Sequence, residues 1–198
     1  MKKIKRGIIV GLFIILVLLF YFFKNTSFLI RAGSFIAALI GFYFIDYSFN
    51  IEFRISHYIC FIIILITGFL LSPLFFINEN YDKLLHFLMP IFGSIIIFFL
   101  VNKLKIDFRW KILITFCSII AFLAIQEIAE YILDYFWDLK LQGVYLRDAT
   151  GLEKYKILMD KNDDTMIDLI LGLAGSLVYY LGKTIRHFAR QGKKIFKK

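Results

Sequence analysis

Proline is nearly absent from this chain, at 2 residues in 198, and cysteine is as scarce, also at 2. So little proline leaves long stretches free to be helical. Cys60 and Cys117 sit in separate apolar runs, which fits packing thiols and excludes a disulfide framework or a cysteine metal site. Histidine occurs only as His57, His86 and His187. The chain has no phosphate loop, no Ser-His-Asp order, no zinc signature and no nucleotide fingerprint. Acids are short against bases, 15 Asp and Glu facing 24 Lys and Arg, for a net charge of +9. A charge of that size can point to nucleic acid, but its distribution points to a membrane, and no nucleic-acid partner is expected.

Apolar surface is what the chain has in excess. Hydrophobic residues make up 60% and aromatic residues 19%, with 24 Phe. Several runs reach the roughly 20 residues that cross a bilayer as a helix. They do not alternate apolar and polar as barrel strands would. The expected fold class is all-α: a polytopic transmembrane helical bundle forming a single integral membrane domain over 1–198. Six spans are read at about 8–23, 28–45, 55–77, 82–101, 112–137 and 165–181. The first resembles a signal peptide, but Lys24-Asn25-Thr26-Ser27 offers no small-residue cleavage site, so a retained span is expected.

With the N-terminus in the cytoplasm, the inner segments carry 16 of the 24 Lys and Arg. Their only acids are Asp46, Glu52 and Asp107. This two-to-one bias follows the positive-inside rule, so both termini are expected in the cytoplasm of a cell-membrane protein. The basic tail, 182–198, would lie on anionic lipid headgroups. The outer loop, 138–163, places Leu152, Tyr155 and Met159 at helical spacing. A short interfacial helix over the bundle and an ordinary folded loop both fit it.

Three spans carry residues that a bilayer rejects. Asp82 and His86 share one face of the fourth, four residues apart. Glu127, Glu130 and Asp134 form a stripe on the fifth, and Asp160, Asp164 and Asp168 form another on the sixth. An ionisable group at mid-membrane costs roughly 2.5–3.5 kcal/mol, and all of these belong to the outer half. Bland readings exist. Asp82 can cap its helix while Lys83 snorkels, Asp163 or Asp164 can cap the sixth span, and Asp134 can sit solvated near the interface. Gly172 and Gly175, with Ala174 and Ser176, read as a close helix-packing face.

The element Tyr81-Asp82-Lys83-x-x-His86-Phe87, with Pro90 beyond it, resembles the core motif of the YjdF-type inner-membrane proteins. Glu127 and Glu130 fall where that family has acids in its next span. Asp160-x-x-x-Asp164-Thr165-x-x-Asp168, entering a glycine-bearing helix, is similar to its last motif. The Asp-Lys-x-x-His-Phe element also resembles the wider VanZ-like family, linked to glycopeptide resistance. The last motif here lacks the Trp residues of the first family, with Asp163 and Ile167 in their places. It also lacks the Asn of the second, which favours the YjdF type. The resemblance implies fold and site location and no particular reaction.

The residues support an outward-facing acidic pocket that binds or processes a polar or cationic group of an envelope lipid or small molecule. In that pocket His86, Glu127 and Glu130 are the candidate catalytic acid–base groups, and Asp82, Asp164 and Asp168 are the candidate ligand-binding groups. Asp82, Glu127, Glu130, Asp164 and Asp168 can alternatively hold a divalent cation, for which oxygen donors suit magnesium, calcium or manganese. An ion- or proton-coupled transporter is a second reading, and a non-catalytic membrane scaffold or partner protein is a third.

Overall fold

The computed structural model describes residues 26–137, 140–147 and 155–195, together with Gly7, Val10, Gly11, Ile14 and Ile15. Most of the expected first span, 8–23, lies outside the described residues. The chain divides into two compact units, one ending at Pro73 and the other beginning at Leu74. Each is taken by itself.

In the first unit, helix α1 spans Thr26–Ser48 and helix α2 spans Ile55–Leu65. Ala32, Phe35, Leu39 and Phe42 recur at steps of three and four, so they share one buried face of α1. Ala32, Phe35 and Leu39 form a core with Leu65 of α2. The same stripe ends on Asp46, a carboxylate that is also buried. It is tolerated because it is fully used: it accepts the Phe53 N–H at 2.9 Å and the Tyr58 hydroxyl at 2.7 Å. The tight return between the helices puts Asn50 and Glu52 at φ of 48° and 60°. The run 55–77 is not one continuous α-helix. After Leu65 a π turn covers Ile66–Leu70 and a 3-10 turn covers Ser72–Phe76. The Thr67 hydroxyl donates back to the Ile63 carbonyl at 2.8 Å, and Pro73 has no N–H to extend the α pattern.

The second unit packs three helices: α3 at Glu79–Val101, α4 at Phe108–Trp137 and α5 at Lys161–Ile195. Among the described residues these are the helices long and apolar enough to cross a membrane. A cap made by Asn78, whose side chain accepts the Asn80 N–H at 2.9 Å, starts α3. Asp82 therefore lies one turn inside the helix and is not its cap. Neither Asp163 nor Asp164 caps α5. Asp160 does, accepting from the N–H groups of Asn162 and Asp163.

The expected small-residue packing face on α5 is present. A β-carbon at Gly175 would stand 2.1 Å from the Phe87 carbonyl oxygen of α3, and one at Gly172 would stand 2.4 Å from Leu123 of α4. Only glycine lets both neighbours come this close. Helix α5 continues to Ile195, so most of the expected tail is helical. Its Lys183 lies over the Phe98 ring at 4.1 Å.

The connection between α4 and α5 holds strands, and the interfacial helix is absent from its described residues. Strand β1, Val144–Arg147, pairs antiparallel with β2, Tyr155–Met159, with Leu146 opposite Lys156. Tyr155 and Met159 do recur at helical spacing, but cross-strand pairing decides their conformation. Leu152 lies outside the described residues.

Candidate functional site

At the end of the second unit that bears the hairpin, α3, α4 and α5 bring their charged residues together. Asp82, Lys83 and His86 occupy the first two turns of α3. Glu127 comes from the inner face of α4, and Asp164 and Asp168 come from successive turns of α5. Of these, His86, Glu127, Asp164 and Asp168 are buried, the first two at 6% exposure each.

The centre of the group is Lys83, for which snorkelling to the surface is one of the readings its sequence position allows. Its ammonium turns inward. It donates to Asp164 Oδ1, to Asp168 Oδ1 at 2.8 Å, and sits 3.4 Å from Asp82 Oδ2. Three carboxylates around one ammonium make burial of a lysine tolerable where a lone charge is not. A lysine in an apolar span near several acids carries this signal, since intramembrane charges pair. Its side-chain direction depends on the packing of α5, which no local pattern shows.

Asp82 and Asp168 each turn their second oxygen toward His86. The imidazole Nε2 lies 3.5 Å from Asp82 Oδ1 and 3.8 Å from Asp168 Oδ2. On the opposite side of the ring, Nδ1 lies 3.8 Å from Glu127 Oε1. These distances are at or beyond the limit of a hydrogen bond. His86 Nδ1 and Glu127 Oε1 are both buried and have no hydrogen-bond partner among the described residues. One donor atom from each of Asp82, His86 and Asp168 falls within 4.8 Å of the others, a spacing that can hold a metal ion.

The root of the hairpin is fastened to the same end of the bundle. Asp164 Oδ2 accepts the Gly143 N–H at 2.7 Å, and Gly143 takes φ of +90°, a conformation that suits glycine. Asp134 accepts the N–H groups of Leu141 and Gln142 at 2.8 and 3.0 Å and pairs with Lys161 at 3.3 Å. Asp134 is therefore buried and saturated, not solvated as expected, because the loop folds its amides down onto it. The Gln142 side chain donates to the Thr165 hydroxyl at 3.2 Å. Glu130 is half-buried, accepts from Gln126 at 3.1 Å and makes none of the contacts around His86. His187 stacks on Phe108 at 3.7 Å, and His57 belongs to the first unit, where its Nδ1 accepts the Arg54 N–H.

Charged groups gathered in this way, held by helices of membrane-spanning length, set the context for comparison with known proteins. A family model described as "Predicted membrane protein (DUF2238)" matches residues 6–188. The chain belongs to the DUF2238 family. No curated protein and no solved structure matches the chain. The match extends over both units, and every residue of the site lies inside it. For this DUF2238 protein, the residues that sequence reasoning missed are Lys83, Gln142 and Gly143. The last two act through a loop amide and a side-chain amide, neither of which leaves a spacing pattern to read.

Proposed function

We propose that this is a six-span protein of the cell membrane, a single integral domain with both termini in the cytoplasm, of the YjdF-type and VanZ-like kind that its motifs resemble. On this reading the site faces outward and binds a polar or cationic group of an envelope lipid or small molecule. Asp82, Asp164 and Asp168 hold the ligand. His86 and Glu127 exchange protons with it, and Glu130 serves as an auxiliary acid–base group at the edge. The exposed Arg186 and Arg190, beside exposed Ile185 and Phe188, lie against anionic headgroups on the inner face.

One observation carries the reading. His86 Nδ1 and Glu127 Oε1 are buried, face each other at 3.8 Å and have no hydrogen-bond partner among the described residues. A buried polar atom left without a partner costs about 1–3 kcal/mol. Ligand binding that gives these atoms partners, directly or by drawing them together, recovers that cost, whereas a purely structural network is expected to be closed already. A transporter needs a polar path onward through the membrane. Away from this end of the unit, the hydroxyls of Thr115 and Ser176 bond to carbonyls of their own helices, at 2.8 Å each. That favours a one-sided site.

The test is native mass spectrometry of the full chain purified in mild detergent. A bound species should accompany the wild type and fall at least tenfold in Glu127→Gln and Asp168→Asn, with helical content unchanged. Equal occupancy in all three proteins would overturn the proposal.

A further inference from the structure

We propose that Asp82, His86 and Asp168 form a site for one divalent transition-metal ion of the manganese or zinc class, with Glu127 as the outer hydrogen-bond partner of His86. This rests on the reading that the site takes a cationic group, and it adds a metal ion to that site.

Four features of the geometry support a metal. The first is spacing. The three donor atoms lie within 4.8 Å of one another, which an ion bonded to each at roughly 2.0–2.5 Å can span. The second is the imidazole. Its Nε2 approaches two carboxylate oxygens at 3.5 and 3.8 Å, too far for good hydrogen bonds and close enough to share a metal with them. The third is the far side of the ring. A metal-bound histidine commonly gives its other N–H to a carboxylate, which fixes the tautomer and the ring orientation. Here Nδ1 points at Glu127 Oε1 across 3.8 Å, and neither atom has a hydrogen-bond partner among the described residues. With the proton on Nδ1, the Nε2 lone pair faces Asp82 and Asp168. The fourth is Lys83. It takes one oxygen of each of those carboxylates, and the oxygen it does not take is in each case the one aimed at His86.

Charge points the same way. Among the described residues Lys83 is the lysine that pairs with Asp82, Asp164 and Asp168, so the carboxylates outnumber it and a divalent ion would offset the difference. The class of ion follows from the donors. Acids alone suit magnesium or calcium, but an imidazole in the ligand set moves the preference to manganese or zinc. Glu130 and Asp164, expected as ligands from the sequence, are excluded from this set: one is held by Gln126, and the other by Lys83 and Gly143.

The experiment uses the full chain in detergent, stripped with a chelator and titrated separately with Mn²⁺ and Zn²⁺. Bound metal is counted by elemental analysis after desalting, and Mn²⁺ is also followed by its paramagnetic resonance signal. One equivalent per chain is expected for the wild type. His86→Gln and Asp168→Asn should each weaken binding at least a hundredfold. Glu127→Gln, which keeps all three ligands, should weaken it about 10–100-fold and retain the stoichiometry. A wild-type protein that binds neither ion overturns the proposal without any variant being needed, and so does metal binding unaffected by His86→Gln. If metal is absent while a co-purifying species still depends on Glu127 and Asp168, the metal fails and the ligand site stands. If neither is found, both readings fall.

Discussion

Lys83 shows how strongly one side chain can depend on its neighbours. Its ammonium is held by Asp164 and Asp168 and lies near Asp82, so removing it leaves buried acids without a counter-charge. Lys83→Met is expected to destabilise the fold by about 3–5 kcal/mol, read as a fall in the midpoint of chemical or thermal unfolding in detergent. Adding Asp164→Asn to that variant should restore part of the loss, because the two positions share one interaction. Glu130→Gln, at a half-buried residue bonded only to Gln126 among the described contacts, should change stability by less than about 1 kcal/mol. A large effect there would place Glu130 inside the network. The acids of this network and His86 were legible as charges in apolar runs. The direction of Lys83 was not, since a lysine near a helix start has water as its default destination. Asp134 was misread for a similar reason: the amides that saturate it, of Leu141 and Gln142, belong to a loop whose path no sequence pattern predicts.

Helices in this protein were easy to locate and their joints were not. Apolar runs marked α3, α4 and α5 to within a few residues, except that α5 continues well past the expected span to Ile195. The close approach through Gly172 and Gly175 was also readable, because small residues spaced along an apolar helix have few other uses. The two glycines should nonetheless respond differently to alanine. The added carbon at Gly175 meets the backbone of Phe87 at 2.1 Å, whereas at Gly172 it meets the tip of Leu123. A side-chain tip can rotate away and a helix backbone cannot. Gly175→Ala should therefore lower stability by about 2–3 kcal/mol and Gly172→Ala by about 1 kcal/mol, with the order checked by thermal unfolding of both variants. The hairpin was not legible, since Tyr155 and Met159 fit a helix as well as a strand until their partner strand is known.

For the whole molecule, the expected topology can be tested across α3 alone. Its 23 residues make a rod of about 34 Å, enough to cross a hydrocarbon core of about 30 Å. Asn80 and Lys105 are exposed at its two ends. In a background carrying Cys60→Ala and Cys117→Ala, a cysteine at position 80 should react with an impermeant maleimide on intact cells. One at position 105 should react only after permeabilisation, and the reverse pattern would invert the topology. Charge bias is the ground for this expected orientation, since the positive residues gather on one set of connections. The same bias could not show that the chain folds as two compact units divided after Pro73, because that division depends on which helices pack together.

Asp164 binds Lys83 with one oxygen and the root of the hairpin, at the Gly143 amide, with the other. The hairpin's root and the buried charges thus share this carboxylate. Such a loop is not an interchangeable part: grafting in a different connection between α4 and α5 would alter the electrostatics of the helices beneath it, even with every helical residue kept.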